Sequence, residues 1–239
     1  MAKQQNLNGV LVTGSLRKSG VTFYIRNGHT VVRTSHSDQP KRCTRAQFDM
    51  RMRMKHSTSL WQRLSPCKPE FIGGRSNYTA FASLANRLPV VYLPCTGILD
   101  GASLLMPGIP VSSGILPTIE QELGETNGTA ALITKIKRSD LQRGDKLQLY
   151  TLHQTFQGEL PCLMVSVRDV AKTEFVSAGG YIALAGEEFA DTMKGWALVL
   201  VNADHRSSQC AVTRCTYYKR FTTEEAFQTA VESYGGLTK

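Results

Sequence analysis

Residues 146–170 read KLQLYTLHQTFQGELPCLMVSVRDV. The part from 162 to 170 alternates apolar and polar side chains, which is the period of a half-buried β-strand. Residues 146–153 are predicted as another strand, after a tight turn at 143–145. Further short strands are predicted at 129–137, 181–185, 196–202 and 209–214. Short strands at roughly regular spacing indicate a mainly antiparallel β-sandwich.

The chain before this sandwich begins with predicted β-strands. Residues 10–16, 21–26 and 29–34 are rich in strand-forming side chains. Asn27-Gly28 separates the last two segments, and this dipeptide favours the type I′ turn of a two-residue hairpin. A basic β-hairpin is therefore predicted near the N-terminus, followed by a polar linker at 35–41.

Three helices are predicted from capping signals and apolar spacing. Thr44 and Gln47 fit a capping box that opens a helix over 45–64. A second helix is predicted over 77–88, with Pro89 stopping it. A C-terminal helix follows a capping box at Thr222 and Glu225, and Gly235-Gly236 closes it. Its predicted apolar face consists of Ala226, Phe227, Ala230 and Val231.

The first of these helices carries apolar residues on more than one side. We expect Ala46, Met50, Met54 and Trp61 on its apolar side, with Phe48 and Met52 alongside. Methionine is an adaptable filler of both cores and binding surfaces. Core packing and a groove for a partner therefore both remain possible for the methionines at 50, 52 and 54.

The segment between the helices and the sandwich is hard to assign. A short strand is predicted over 90–93. Residues 95–125 are rich in Gly and Pro, so they form either a functional loop or short strands that the pattern does not place.

The positive charge of the chain is concentrated in its first third. The formal net charge is +9, with fifteen Lys/Arg and three Asp/Glu in residues 1–89, hence +12, and −3 in residues 90–239. We predict that this basic segment binds an acidic partner. The candidate contact residues are Arg26, Arg33, Lys41, Arg42, Arg45, Arg51, Arg53, Lys55 and Arg63.

Three interpretations of this basic segment remain open. The cations could bind phosphates of nucleic acid, which gives salt-sensitive affinity without sequence preference. They could instead bind an acidic protein. They could also be solvated, or paired with Glu187, Glu188 and Asp191 of the sandwich or with a neighbouring subunit.

Catalytic and metal sites are not predicted. The five histidines, at 29, 36, 56, 153 and 205, lack the spacing of metal ligands, and the six cysteines contain no CxxC pair. We expect reduced, buried thiols. No Gly-x-Ser-x-Gly elbow or phosphate loop occurs. The polar run 204–207 is interpreted as a turn between strands, and Gly73-Gly74 as a linker before an N-cap at Ser76. No cofactor is expected.

The sequence carries no recognisable secretory signal and no apolar run of the roughly 20 residues that a membrane-spanning helix needs. We therefore expect no membrane association, and a cytoplasmic protein.

The N-terminal segment resembles a Bacteroidales family of uncharacterised proteins associated with phages and mobile elements. The matching residues are Gly14-Ser15-Leu16, Gly20-Val21, Tyr24, Arg26-Asn27-Gly28, Thr30-Val31-Val32-Arg33, Thr44-Arg45, Gln47 and Arg51. The chain has His29 where the family has Lys, and Thr44-Arg45 in the reverse order. Residues 196–208 are similar to the strand–turn–strand of the family's immunoglobulin-like sandwich. The resemblance implies an immunoglobulin-like sandwich and a phage context.

Together the sequence patterns and the family resemblance predict an α+β fold with two parts. Residues 1–89 form a basic β-hairpin plus helices, and residues 90–239 form an immunoglobulin-like antiparallel β-sandwich with a C-terminal helix. The predicted function is that of a non-enzymatic structural or assembly protein, such as a phage or prophage virion component, whose partners are other subunits in a homo- or hetero-oligomer. The alternatives are a nucleic-acid-binding accessory protein and an enzyme of unknown type.

Overall fold

A computed structural model describes residues 14–16, 21–26, 29–34, 43–74, 76–90, 92, 105–157, 160–213, 224–233 and 236–237. Contacts divide the chain into two units, residues 1–42 and 43–239. The charge pattern predicts a boundary at residue 89. In the structure, the helices after residue 43 share a hydrophobic core with the strands that follow them.

The N-terminal unit contains a three-stranded antiparallel sheet in the order β1-β2-β3. The strands are β1 (Gly14–Leu16), β2 (Val21–Arg26) and β3 (His29–Thr34). Arg26 pairs with His29, so two residues connect β2 and β3, as the Asn27-Gly28 signal predicts. The turn itself, residues 10–13 and the predicted linker at 35–41 lie outside the described residues.

Two helices open the second unit. Helix α1 (Arg45–Leu64) has the predicted bounds, and its capping box is formed: Thr44 accepts from the Gln47 N–H while the Gln47 side chain accepts from the Thr44 N–H. Helix α2 (Asn77–Ala85) begins at its N-cap Ser76 and ends three residues before the predicted end.

Nine strands follow in the described part of the chain. They are β4 (Pro110–Ser113), β5 (Gln121–Thr126), β6 (Thr129–Thr134), β7 (Lys146–Gln157), β8 (Leu160–Val170), β9 (Phe175–Ala178), β10 (Tyr181–Ala185), β11 (Lys194–Val201) and β12 (Gln209–Ala211). They form a four-stranded sheet β5-β6-β10-β9, a three-stranded sheet β11-β7-β8 and the pair β12-β4, all antiparallel. Helix α3 (Glu224–Ser233) follows.

The three-stranded sheet is covered on both faces. Leu149 and Trp196 pack on one face against Leu132 and Ile182 of the four-stranded sheet. Because side chains alternate along a strand, Tyr150 is on the opposite face, where the sheet packs against α1 and α2. The second unit therefore has a helical layer, a central sheet and an outer sheet.

A third cluster joins the first half of α1 to α3. Phe48 and Met52 pack there with Cys43, Phe227 and Val231. Helix α1 thus contributes to two cores, since Leu60 and Leu64 in its second half belong to the cluster beneath the central sheet.

The α+β class with mainly antiparallel sheets is confirmed, whereas the immunoglobulin-like assignment stays a prediction. The strand predicted over 90–93 is wrong at residues 90 and 92, which pack against the α1–α3 cluster without sheet pairing. The Gly/Pro-rich stretch 95–125 contains β4 and the start of β5, while residues 95–104 lie outside the described residues. Strand β9 was not predicted.

Candidate functional site

The exposed face of α1 differs from the one predicted. Phe48, Met52, His56, Leu60 and Leu64 form the buried stripe, at intervals of four residues. The expectation that the apolar side includes Met50 and Met54 is wrong, because these side chains are 53% and 54% exposed. The exposed Ala46 also lies off the buried stripe. The spacing of apolar residues could not show which of two stripes of α1 is buried. Contacts with α3 and with the central sheet determine it.

Arg45, at the first turn of α1, is held within the fold. Its guanidinium lies 3.6 Å from the centroid of the Phe227 ring, donates a 3.0 Å hydrogen bond to the Tyr92 hydroxyl and pairs with Asp49 at 3.4 Å. Tyr92 in turn donates to the Asp49 carboxylate at 3.2 Å. Burial, together with the Asp49 carboxylate, raises the pKa of Tyr92. Arg45 therefore fastens α1 to α3 in addition to any outward role.

Arg53 is also used internally. One of its guanidinium nitrogens donates to the carbonyl oxygens of Asn86 at 2.8 Å and Leu88 at 2.7 Å. These carbonyls follow the C-terminus of α2, where backbone acceptors lack helical partners and a positive charge is favourable. Arg53 consequently caps α2 rather than extending a free basic face.

The other predicted contact residues are placed as follows. Arg51 lies on the exposed face of α1 beside the two methionines, Arg63 is exposed at its last turn, and Lys55 is half-buried. Arg26 lies on β2 and Arg33 on β3; at these two positions the structure describes the backbone and not the side chain. Lys41 and Arg42 lie outside the described residues. The structure thus leaves Met50, Arg51, Met54 and Thr58 as an outward strip, which we call the α1 face.

The polar run 204–207 forms the predicted turn between β11 and β12. The Asn202 side chain accepts from the backbone N–H groups of Asp204 and Arg206, and His205 is exposed with a positive φ of 60°. Ser207 points inward, where its hydroxyl lies 2.7 Å from that of Ser112. The neighbouring Glu70 carboxylate accepts from the Ser207 backbone N–H, so this cluster serves the turn.

A partly buried polar arrangement that sequence reasoning missed joins β5, β11 and β12. The Gln121 side chain accepts from the Leu198 N–H at 2.8 Å and donates to the Ala211 carbonyl at 3.1 Å. The Cys210 thiol donates to the Leu198 carbonyl at 3.3 Å, and burial raises its pKa to about 12. No local signal could reveal this set, because its members lie up to 90 residues apart in the chain.

Ligand-binding features within the described ranges are few. The thiols of Cys43, Cys67, Cys162 and Cys210 are free, while Cys95 and Cys215 lie outside these ranges. No group of three His, Cys, Asp or Glu side chains is placed to hold a metal ion in this part of the chain. Nor does any described helix have the length and apolar character to cross a membrane.

Comparison with known proteins found no matching family model, no matching curated protein and no matching solved structure.

Proposed function

We propose that the protein is a non-enzymatic structural or assembly protein, which docks on an acidic region of another subunit through its basic N-terminal part. The observation that carries this proposal is the α1 face, where two exposed thioethers at positions 50 and 54 lie beside the exposed cation of Arg51. The family resemblance extends the proposal to a phage or prophage virion component.

The methionines support docking because the core does not require them. The buried stripe of α1 already contains five large side chains, and Met50 and Met54 stand on the other side, one helical turn apart. Methionine and arginine are enriched in protein interfaces, and a thioether adapts its shape to a partner surface. An acidic partner would complement Arg51 at the same place.

The nucleic-acid alternative draws on the same cations but is less well supported. Arg45 and Arg53 are engaged within the fold. The α1 face has one cation, Arg51, beside two methionines. Phosphate binding needs several cations that are free to contact the backbone of the nucleic acid.

The test is the molar mass of the full chain by light scattering, across a concentration series. We expect an oligomer, and we expect the double variant M50E/M54E to shift the mass towards the monomer. Met164→Glu is the matched control. Met164 is 59% exposed on β8, and side chains alternate along a strand, so it lies on the face opposite Val165 and Val167, which pack against the cluster that includes Leu60 and Leu64 of α1. R51E should weaken association as well and make it less sensitive to salt.

Two results would contradict the proposal. One is an oligomer that M164E disrupts as strongly as M50E/M54E does. The other is a chain that remains monomeric at all concentrations but binds duplex DNA. If that binding depends steeply on salt and M50E/M54E leaves it unchanged, the nucleic-acid alternative is established instead.

A further inference from the structure

A cavity of about 280 Å³ lies between the C-terminal end of α2 and the strand pair β4–β12, apart from the α1 face. Its walls include the apolar side chains of Leu84, Leu88, Pro110 and Ala211. The volume is near the lower end of the roughly 300–1,000 Å³ range of small-molecule sites. The cavity therefore suits a small organic molecule.

A β-bulge shapes the strand side of this cavity. Cys210 pairs with Ser112, whereas Ala211 pairs with Pro110, so Val111 is an extra residue in β4. Val111 is buried, while all four residues around it line the cavity. Bulges of this kind bend a strand and often occur next to binding sites.

Among the described residues that line the cavity, Arg87 carries the only charge. It is exposed just after the C-terminus of α2, and the other described lining residues include no Lys, His, Asp or Glu. The Cys210 thiol stays protonated, because burial raises its pKa to about 12, and it donates a hydrogen bond to the Leu198 carbonyl. Thr118 and Gln209 add neutral polar groups. An anion is therefore favoured over a cation.

We propose that this cavity binds a small organic carboxylate, whose charge pairs with Arg87 and whose apolar body contacts Leu84, Leu88 and Ala211. An uncharged molecule of the same length gains the apolar contacts alone. A cation of that length is disfavoured by Arg87. The expected order of affinity is carboxylate, then uncharged molecule, then cation. It does not depend on the docking proposed for α1.

The test is calorimetric titration of the full chain with hexanoate, 1-hexanol and hexylammonium. We expect hexanoate to bind with a dissociation constant on the order of 1 mM, which is typical of so small a ligand. R87Q should weaken hexanoate binding about two- to fivefold, the effect of losing one exposed charged contact, and leave 1-hexanol binding unchanged. The exposed turn residue Arg143 supplies the control R143Q.

A second variant covers the case in which R87Q perturbs the fold. Thr118 is exposed at the cavity, so T118W should fill the cavity and abolish binding of both hexanoate and 1-hexanol, while far-ultraviolet circular dichroism stays unchanged. The proposal is overturned if hexanoate does not bind, if hexylammonium binds as tightly as hexanoate, or if T118W and R87Q both bind hexanoate as the wild type does.

Discussion

His56 makes the stability of the fold dependent on pH. It lies on the buried stripe of α1, is 2% exposed, and neither ring nitrogen has a hydrogen-bond partner. Burial lowers its pKa from 6.5 to about 4, because the charged imidazolium would lose its hydration without gaining a compensating partner. The folded protein therefore keeps His56 neutral at a pH where the unfolded chain protonates it.

The sign and size of the effect follow from this difference. Between pH 6.5 and about 4 the unfolded chain binds one more proton than the folded chain, so acid favours unfolding. The contribution of neutral His56 to the free energy of unfolding is fully present above pH 6.5. It falls by about 1.4 kcal/mol for each unit of pH below that value. The total loss by pH 4 is about 3 kcal/mol, which is a large part of the stability of an ordinary domain.

The substitution that isolates this contribution is His56→Leu. Leucine keeps an apolar side chain of adequate size on the stripe and has no nitrogen to desolvate, so we expect H56L to be as stable as the wild type near pH 7.5, or about 1–2 kcal/mol more stable. Urea unfolding followed by tryptophan fluorescence gives the free energy of unfolding. Between about pH 7.5 and about pH 5, the wild type should lose about 2 kcal/mol more than H56L does.

The control is His205→Asn, because His205 is exposed and asparagine tolerates its positive φ of 60°. H205N should follow the wild type across the whole pH range. The reasoning about His56 is refuted if the H56L curve runs parallel to that of the wild type, or if H56L loses more stability in acid than the wild type loses.

Three further substitutions test the internal contacts by urea unfolding near neutral pH. R53Q should lower the free energy of unfolding by about 1–3 kcal/mol, because it removes the charged donor that caps α2. R51Q, on the exposed face of the same helix, should change it by no more than about 0.5 kcal/mol. Equal effects of the two substitutions would contradict the roles assigned to these arginines. Q121L should cost about 1–3 kcal/mol, since the N–H of the buried Leu198 and the carbonyl of the half-buried Ala211 lose their partner, and a neutral result would mean that water replaces the amide. G114A should cost about 1–3 kcal/mol, because an added Cβ would lie 2.0 Å from the Ser207 carbonyl oxygen; unchanged stability would show that the β4–β12 end relaxes freely.

Local signals predicted the elements of the fold better than their packing. The capping box at Thr44 and Gln47 and the apolar period gave the bounds of α1, because both signals act within a few residues. The face of α1 could not be assigned in the same way, since apolar residues occur on more than one side. Which stripe is buried depends on Phe227 and Val231, more than 160 residues later in the chain.

The candidate site shows the same limit. Composition places the positive charge in the first third of the chain but does not distinguish one cation from another. Arg45 and Arg53 find partners 47 and 33–35 residues away, at Tyr92 and at the end of α2. The cavity beside Arg87 depends on a register shift between β4 and β12, which are about 100 residues apart. Sequence reasoning could not have anticipated either arrangement without the tertiary contacts.

The position of His56 connects the stability of α1 to its proposed docking role. The stripe on which it lies packs into one core through Phe48 and Met52 and into another through Leu60 and Leu64. A helix held at both ends presents Met50 and Met54 without further ordering, which lowers the entropic cost of binding. Substitutions on the α1 face should therefore change docking without changing stability. Acid, by contrast, should also reduce docking in the wild type through the fraction of the protein that unfolds, and H56L should remove that part of the pH dependence.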